Sequence, residues 1–238
     1  MLKISNLSKS YGEINLYKHF TYEFRENAIT VLLGPSGCGK TSLLNMLAGL
    51  ADIDGGEIQG LEGKALTYIF QESRLLPWLS VYDNLYIVAE KHQKNPRQLT
   101  EELLREVDLW EARYLFPEQI SGGMQQRLAV VRAFAKPSDI ILMDEPFKSL
   151  DFEMKIQLIK YFYKIWEKQK QLVIFVTHDF MEAALLGDEI CLLADKPVNI
   201  LKKISNPIEY SNRQYENIKL LEFGQGLYKE VIKLQDVK

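Results

Sequence analysis

The chain has 238 residues, of which 47% are hydrophobic and 26% are charged, and its formal net charge is −3 at pH 7. This composition is ordinary for a globular protein. The length fits one large domain or two small ones, and an α/β layout commonly runs this long as a single unit. The small acidic excess excludes a surface dominated by positive charge, so no nucleic-acid partner is expected.

The first predicted elements are strands. Short alternating stretches at residues 2–4 and 20–24, separated by a turn sequence at residues 10–13, predict antiparallel strands. The continuous apolar run at residues 29–33 predicts a strand that is buried on both faces. A helix-forming run follows at residues 42–48.

Between this strand and this helix lies a segment that matches the pattern G-x-x-x-x-G-K-[ST] in full: Gly34, Pro35, Ser36, Gly37, Cys38, Gly39, Lys40 and Thr41. Glycines let the backbone turn so that successive N–H groups point at one phosphate, and the helix that follows adds its positive N-terminal end. Lys40 is predicted to reach the β- and γ-phosphates, and the Thr41 hydroxyl is predicted to bind Mg²⁺. Together with Ser42 beside it, the segment predicts a site for a nucleoside triphosphate.

Apolar runs then alternate with helical patterns. Further strands are predicted at residues 57–59 after a Gly55-Gly56 turn, at 65–70, 140–143 and 172–176, and at 190–194 and 198–201 as a hairpin around residues 195–197. Helices are predicted between residues 81 and 109 with a break at Asn95-Pro96, at 124–135 with Ser121 as N-cap, from near Asp151, and from residue 211 to about 234. This alternation predicts a mostly parallel sheet with helices on both faces.

Polar residues follow the predicted parallel strands, where ligands bind in an open sheet. After residues 140–143, Asp144 is predicted to hold Mg²⁺ and Glu145 to take a proton from an attacking water. His178 would donate to the γ-phosphate, and the Gln71 amide would contact Mg²⁺ and position the water. The plainer alternatives are a glycine-rich turn that binds nothing, a solvated acid pair, a surface histidine and a loop glutamine.

The segment Ser121-Gly122-Gly123-Met124-Gln125-Gln126-Arg127 resembles the signature of ATP-binding cassette (ABC) proteins, whose usual form begins with Leu where this chain has Ile120. The resemblance extends over nearly the whole chain in the family's order: Tyr11, the phosphate loop, Gln71, the signature, Asp144-Glu145, Ser149-Leu150-Asp151 and His178. It implies a P-loop NTPase fold of the ABC type in a single domain. That domain would contain a mostly parallel core sheet, an N-terminal antiparallel β subdomain, an inserted helical subdomain at residues 72–120 and a helical cap at residues 207–238.

The resemblance also implies how the site works. Tyr11 would stack on adenine, and two copies would pair head to tail around two ATP molecules with Mg²⁺. Ser121, Gly122 and Gly123 would then contact the γ-phosphate on the partner's loop, with Asp151 in the dimer-contact loop. Lys40, Gln71, Glu145 and His178 would form the catalytic set.

The function implied is ATP hydrolysis in a bacterial importer, peripheral on the cytoplasmic face of the inner membrane. Its other partners would be membrane permease subunits and, indirectly, a solute-binding protein. The segment at residues 74–78 is similar to the branch that serves nitrate, sulfonate and taurine. An exporter ATPase, a non-transport cassette protein and a nucleotide-binding regulator that cannot hydrolyse remain alternatives.

Two departures from the family's pattern concern the dimer contact. Lys148-Ser149 stands where small residues are usual, and Phe152-Glu153-Met154 follows Asp151. A long cation in a tight interface needs an anionic partner. One hypothesis is that Lys148 pairs with an acid on the opposing subunit.

Cysteine usage and hydropathy bear on the compartment. Cys38 and Cys191 show neither metal-ligand spacing nor a disulfide framework, which indicates a reducing, cytosolic environment. Apolar runs such as residues 172–176 are far shorter than the roughly 20 residues that span a bilayer. The chain is therefore not expected to be integral to a membrane.

Overall fold

A computed structural model describes residues 1–148, 150–193 and 196–235. The strands, in chain order, are β1 (Lys3–Tyr11), β2 (Ile14–Glu23), β3 (Ile29–Leu33), β4 (Gly55–Gln59), β5 (Leu66–Ile69), β6 (Ile140–Asp144), β7 (Leu172–Thr177), β8 (Glu189–Leu193) and β9 (Ile200–Ser205). The α-helices are α1 (Lys40–Leu47), α2 (Val81–His92), α3 (Pro96–Glu106), α4 (Gly122–Phe134), α5 (Phe152–Gln169), α6 (Phe180–Leu186) and α7 (Ile218–Gln235). Ser149 of the predicted dimer-contact loop, and Ala194 and Asp195 of the predicted hairpin, lie outside the described residues.

The chain divides into two compact units, which we call the first unit (Met1–Lys64 with Gln171–Lys238) and the second unit (Ala65–Lys170). The first unit contains the predicted antiparallel part at the N-terminus, a sheet in the order β2-β1-β4. It also contains β3 between β7 and β8, both parallel to it, with β9 antiparallel to β8. The predicted mostly parallel character of the core sheet is therefore confirmed.

Burial explains why β3 and β7 lie at the centre of the first unit. Every residue of both strands is buried, as their continuous apolar sequence predicts. Their register pairs Leu33 with Thr177, the last residue of each strand. The phosphate loop and His178 therefore begin at the same end of these two paired strands.

The second unit pairs β5 with β6 in parallel, and Ile69 lies opposite Met143. Asp144, the last residue of β6, and Gln71, just beyond β5, therefore lie at the same end. Helices α2 to α5 belong to this unit, and the Phe134 and Phe162 rings pack edge to face with centroids 5.4 Å apart. The predicted break between α2 and α3 at Asn95-Pro96 is confirmed.

Two sequence expectations about local structure were wrong, and one helix was not predicted. Gly55 and Gly56 belong to β4 rather than to a turn, because Gly55 pairs with Ser8 of β1, and β1 lies so close that a Cβ on Gly56 would be 2.4 Å from the Asn6 carbonyl oxygen. The short helix α6 was not predicted. It begins at Phe180, with Asp179 as its N-cap, and His178 separates this cap from the end of β7. The C-terminal helix α7 begins at Ile218 rather than near residue 211, and a single 3₁₀ turn at Tyr210–Asn212 precedes it.

Among residues 1–148, 150–193 and 196–235, no helix combines the length and the apolar character that crossing a bilayer requires.

A buried arginine fixes the segment that leads into α7. Arg213 donates to the carbonyl oxygens of Ile208 (2.9 Å) and Leu186 (3.2 Å) and pairs with Asp188 at 3.0 Å. We expect Arg213→Met to lower the free energy of unfolding by about 2 to 3 kcal/mol, because the buried acceptors lose their donor. Denaturant unfolding measures this loss. The exposed Arg97→Met is the matched control and should leave the transition unchanged.

Candidate functional site

The phosphate loop joins β3 to α1 through two glycines in the left-handed region. Gly37 has φ 77° and Gly39 has φ 117°, conformations that strain any other residue. A Cβ on Gly39 would also lie 2.9 Å from Leu16 Cδ1. The loop conformation therefore depends on the glycines that the sequence pattern contains.

Lys40 is the most informative side chain of this loop. It is only 5% exposed, and its ammonium donates to the carbonyl oxygens of Gly34 and Pro35 at 2.8 Å each, with Cys38 Sγ 3.7 Å away. Within the part of the chain that the structure describes, no carboxylate forms an ion pair with it. A buried cation with neutral partners is costly unless an anion joins it. The loop therefore fits a phosphate ligand.

The other predicted nucleotide-binding residues of the first unit differ in how far their side chains are exposed to solvent. Ser36 and Thr41 are exposed, Ser42 is half-buried, and the Cys38 side chain is fully buried, so Cys38 can offer only its backbone. Tyr11, at the end of β1, presents an exposed ring with Lys9 Nζ 5.3 Å from its centroid. An exposed aromatic ring is available for stacking on a base.

His178 is exposed, and hydrogen bonds fix the side chains of the residues on either side of it, Thr177 and Asp179. Thr177 Oγ1 donates to Glu182 Oε2 at 2.6 Å and accepts from the Asp179 N–H at 3.0 Å. Asp179 in turn caps α6 by accepting from the N–H groups of Met181 and Glu182. The contact between Thr177 and Glu182 was not predicted from the sequence. The sequence signal for it is the spacing, since Glu182 lies five positions after Thr177, the last residue of β7.

In the second unit, Asp144 ends β6 and is buried, whereas Gln71 is exposed just beyond β5. The Tyr68 hydroxyl donates a hydrogen bond to Asp144. Burial, and then the nearby carboxylate, raise the pKa of Tyr68 above its usual range, so the hydroxyl stays protonated as a donor. Sequence reasoning missed Tyr68, whose only signal is its place on the strand that leads to Gln71.

Glu145 follows Asp144 in an unusual backbone conformation. Its φ is 45°, in the left-handed region, where a residue with a Cβ costs roughly 1 to 2 kcal/mol. Its carboxylate forms an ion pair with Lys148, at 3.1 Å between Oε2 and Nζ. Lys148 thus contacts an acid of its own chain, and the hypothesis of a pair across two subunits stays a prediction.

The signature segment begins α4 and leaves its first residues accessible. Ser121 caps the helix by accepting from the Met124 N–H at 3.3 Å, as its sequence position predicts. Ser121 and Gly122 are exposed, and a Cβ on Gly122 would meet no atom within 4 Å. Gly123 is half-buried in the first turn. The free N–H groups of such a helix start suit an anion.

Asp151 has a structural role that the sequence had not assigned to it. Its side chain caps α5 by accepting from the Met154 N–H at 3.0 Å, and Phe152 beside it is exposed. Its predicted part in nucleotide binding stays a prediction.

Magnesium ligands were also predicted, and the donor chemistry of the residues fits that ion. Thr41, Gln71 and Asp144 offer a hydroxyl, an amide and a carboxylate oxygen, the donor type that Mg²⁺ prefers. Among the described residues there is no group of three or more His, Cys, Asp or Glu side chains placed to hold a metal.

Comparison with known proteins decides the family. The model of the ABC transporter family matches residues 17–148. The chain belongs to the ABC transporter ATP-binding family. It is 36% identical over 210 residues to the aliphatic sulfonates import ATP-binding protein SsuB of Bacillus cereus, covering 85% of this chain and 83% of that protein. It is also 36% identical over 220 residues to the taurine import ATP-binding protein TauB of Rhizobium johnstonii, with the same coverage.

Solved cassettes of this family share the fold. A dimeric post-hydrolysis ATP-binding cassette, MJ0796 bound to ADP and Pi, superposes with a TM-score of 0.76 at 27% identity, covering 88% of this chain and 100% of that one. The ABC protein described here is thus an ATP-binding ATPase related to sulfonate and taurine importers. The predicted fold class, enzyme class and ATP as ligand are confirmed, whereas the roles of individual site residues stay predictions.

Proposed function

We propose that this ABC protein is the ATP-hydrolysing subunit of a bacterial importer for a small anion of the sulfonate or taurine kind. The proposal is supported by relatives whose names state sulfonate and taurine import. The single observation that carries the chemistry is the buried Lys40 ammonium, which has only neutral partners at a phosphate-binding loop.

The residue roles follow from the chemistry of each group. Lys40 and the loop N–H groups bind the phosphates, and Tyr11 stacks on the adenine. Glu145 takes the proton of the attacking water, and His178 donates to the γ-phosphate. Thr41, Gln71 and Asp144 hold Mg²⁺, which when bound neutralises charge on the phosphates.

The proposal includes a homodimer in which each ATP is completed by the second copy. Ser121, Gly122 and Gly123 of one copy contact the γ-phosphate held by the loop of the other. Support comes from the exposed, capped start of α4 and from two solved structures of MJ0796, both of them dimeric. ATP binding closes this dimer, and hydrolysis opens it.

We further propose that the helical segment at residues 72–120 contacts a permease. Trp78 and Tyr114 are 69% and 72% exposed, which is unusual for large aromatic side chains. Both lie near the start of α2. The buried Asn84 donates to the Leu76 and Leu79 carbonyl oxygens, on either side of Trp78. The Val81 N–H donates to the carbonyl oxygen of Leu115, the residue after Tyr114. An apolar helix of a membrane protein would cover such aromatics.

The remaining parts of the proposal rest on the relatives. The protein lies on the cytoplasmic face of the inner membrane, bound to its permease, and a solute-binding protein supplies the anion to that permease. No nucleic-acid partner is proposed. The assignment of residues 1–238 to a single ATP-binding domain, with a helical cap at residues 207–238, likewise stays a prediction.

Mixing two inactive variants tests the head-to-tail arrangement. The first variant, Lys40→Met, has a disabled phosphate loop and an intact signature. The second variant, Ser121→Arg, has a blocked signature and an intact phosphate loop. If each site combines both chains, an equimolar mixture forms mixed dimers with one intact site, and ATPase activity recovers to roughly a quarter of the parent value. Each variant mixed with itself is the control. Activity that stays at the level of the single variants at every protein concentration would contradict the arrangement.

Co-purification tests the assignment to an importer. The tagged protein, expressed in its native host, should be recovered from detergent-solubilised membranes together with a membrane permease. Its ATPase activity in reconstituted vesicles should rise when the binding protein and an alkanesulfonate are added. Recovery with an exporter or with no membrane protein would favour the alternatives.

A further inference from the structure

The residues on either side of His178 belong to one hydrogen-bonded network that joins the end of β7 to the start of α6. The Thr177 hydroxyl donates to Glu182 Oε2 at 2.6 Å and accepts from the Asp179 N–H at 3.0 Å. The Asp179 side chain accepts from the Met181 N–H at 2.8 Å and from the Glu182 N–H at 3.1 Å. The turn that carries His178 is therefore tied on both sides to the first turn of α6.

Both members of the side-chain contact are enclosed. Thr177 is 1% exposed and Glu182 is 3% exposed, so water does not compete for their hydrogen bond. The helix that carries Glu182 is itself closely packed: a Cβ on Gly224 of α7 would lie 2.5 Å from Met181 Sδ of α6. The contact therefore fixes the end of β7 against a helix that is held in place from its other side.

Stability alone does not explain a carboxyl group at position 182. The other buried residues of α6 are all apolar: Ala183, Ala184, Leu185 and Leu186. Burying a carboxyl group costs free energy even when it is hydrogen-bonded, and an apolar side chain would fill the same space at lower cost. The Glu182 side chain therefore points to a role in holding Thr177.

We propose that Thr177 and Glu182 are positioning residues for His178, because their contact holds the turn between β7 and α6 from which the imidazole reaches the γ-phosphate. This inference rests on the proposed role of His178. An exposed side chain is placed by the backbone that carries it, and here the neighbouring residues restrain that backbone. A group that acts on the transition state loses much of its effect when it is displaced by about 1 Å. Loss of the contact therefore lowers the rate of the chemical step.

The register of the sheet provides a measurement that separates positioning from general damage. Thr177 pairs with Leu33, the residue before the phosphate loop. A disturbance of both strand ends would reach the loop and raise KM for ATP. Displacement of His178 alone lowers kcat and kcat/KM equally and leaves KM unchanged, because Lys40 and the loop still hold the phosphates.

The test is steady-state ATP hydrolysis by the purified full chain with MgATP. Thr177→Val keeps the shape of the side chain but removes the hydroxyl, and it should lower kcat about 10- to 100-fold with unchanged KM. Thr177→Ser restores the hydroxyl and should recover most of the parent rate. The matched control is Thr30→Val on β3, since Thr30 is also fully buried and its hydroxyl has no hydrogen-bond partner among the residues that the structure describes. This control should leave the rate unchanged.

The His178→Ala background distinguishes positioning from a merely structural role. If Thr177 acts through His178, Thr177→Val should cause no further loss of kcat when His178 is already alanine. An equal loss in both backgrounds would overturn the inference. It would also be overturned by a parent-like kcat in Thr177→Val, by a raised KM, or by a loss that Thr177→Ser shares in full.

Two substitutions of Glu182 test the other end of the contact. Glu182→Met removes the acceptor, whereas Glu182→Gln keeps an acceptor oxygen for the Thr177 hydroxyl, so kcat should fall further in Glu182→Met. This pair decides the question if circular dichroism shows that Thr177→Val does not fold, and equal rates for the two would then overturn the inference.

The same assay separates this inference from the proposed function. If His178→Ala keeps the parent rate, the proposed role of His178 fails and the positioning role fails with it. If His178→Ala loses hydrolysis while Thr177→Val and Glu182→Met keep it, only the positioning role fails.

Discussion

Replacing Glu145 with Gln is expected to lower the rate of ATP hydrolysis by about 10² to 10⁴-fold, the usual contribution of a positioned general base. Glutamine has nearly the same shape, so the left-handed turn that begins at Glu145 should persist, whereas the amide cannot accept the proton of the attacking water. ATP binding should be retained, because Glu145 is not proposed to bind the phosphates. Steady-state hydrolysis and equilibrium binding of a fluorescent ATP analogue measure the two effects separately.

Glu153→Gln is the matched control for this substitution. Glu153 is an exposed acid in the first turn of α5, a few residues further along the same segment. Its replacement removes the same charge from the same part of the chain, and we expect hydrolysis to stay within about twofold of the parent. A comparable fall in both variants would mean that the segment needs its net charge, and Glu145 would lose its special role.

The strands that carry the site could be predicted closely from the sequence. β3 appears at residues 29–33 as predicted because it is buried on both faces, and a strand of this kind leaves an uninterrupted apolar run. The same holds for β7. Polar residues at the end of such a run must lie at the end of the strand. Asp144 and His178 could therefore be predicted as site residues from their position in the sequence.

Contacts between distant residues could not be predicted in this way. Gly56 reads locally as a turn residue, and only the approach of β1 makes it part of a strand. Tyr68 lies far from Asp144 in sequence, and the parallel pairing of β5 with β6 brings the two together. Propensity describes a residue's neighbours along the chain, whereas these roles depend on neighbours in space.

The pairing of Lys148 with Glu145 shows a further limit of sequence reasoning. The sequence shows a cation where small residues are usual, which led to a hypothesis about the opposing subunit. The partner within the chain became evident only from the turn, in which Pro146 and the buried Phe147 direct the chain back on itself.

Lys40→Met is expected to separate the binding of ATP from the stability of the fold. In the parent, the buried ammonium has carbonyl and thiol partners, and the phosphates of ATP supply the anion that it lacks. Losing hydrogen bonds from a charged donor should weaken ATP binding by about 10- to 100-fold. Without nucleotide, methionine leaves two carbonyl oxygens without their donor but removes a buried charge, so the free energy of unfolding should change by less than about 1 kcal/mol.

Unfolding with and without MgATP measures both parts of this prediction. At an ATP concentration of 100 times the parent Kd, the parent should gain about 2.7 kcal/mol of stability. A variant that binds 100-fold more weakly should gain only about 0.4 kcal/mol at the same concentration. Lys164→Met, the same substitution at an exposed lysine, should keep the full gain. If Lys40→Met also keeps it, Lys40 does not bind the phosphates. If the variant is unstable without nucleotide, the lysine's hydrogen bonds to Gly34 and Pro35 stabilise the loop more than its buried charge destabilises it.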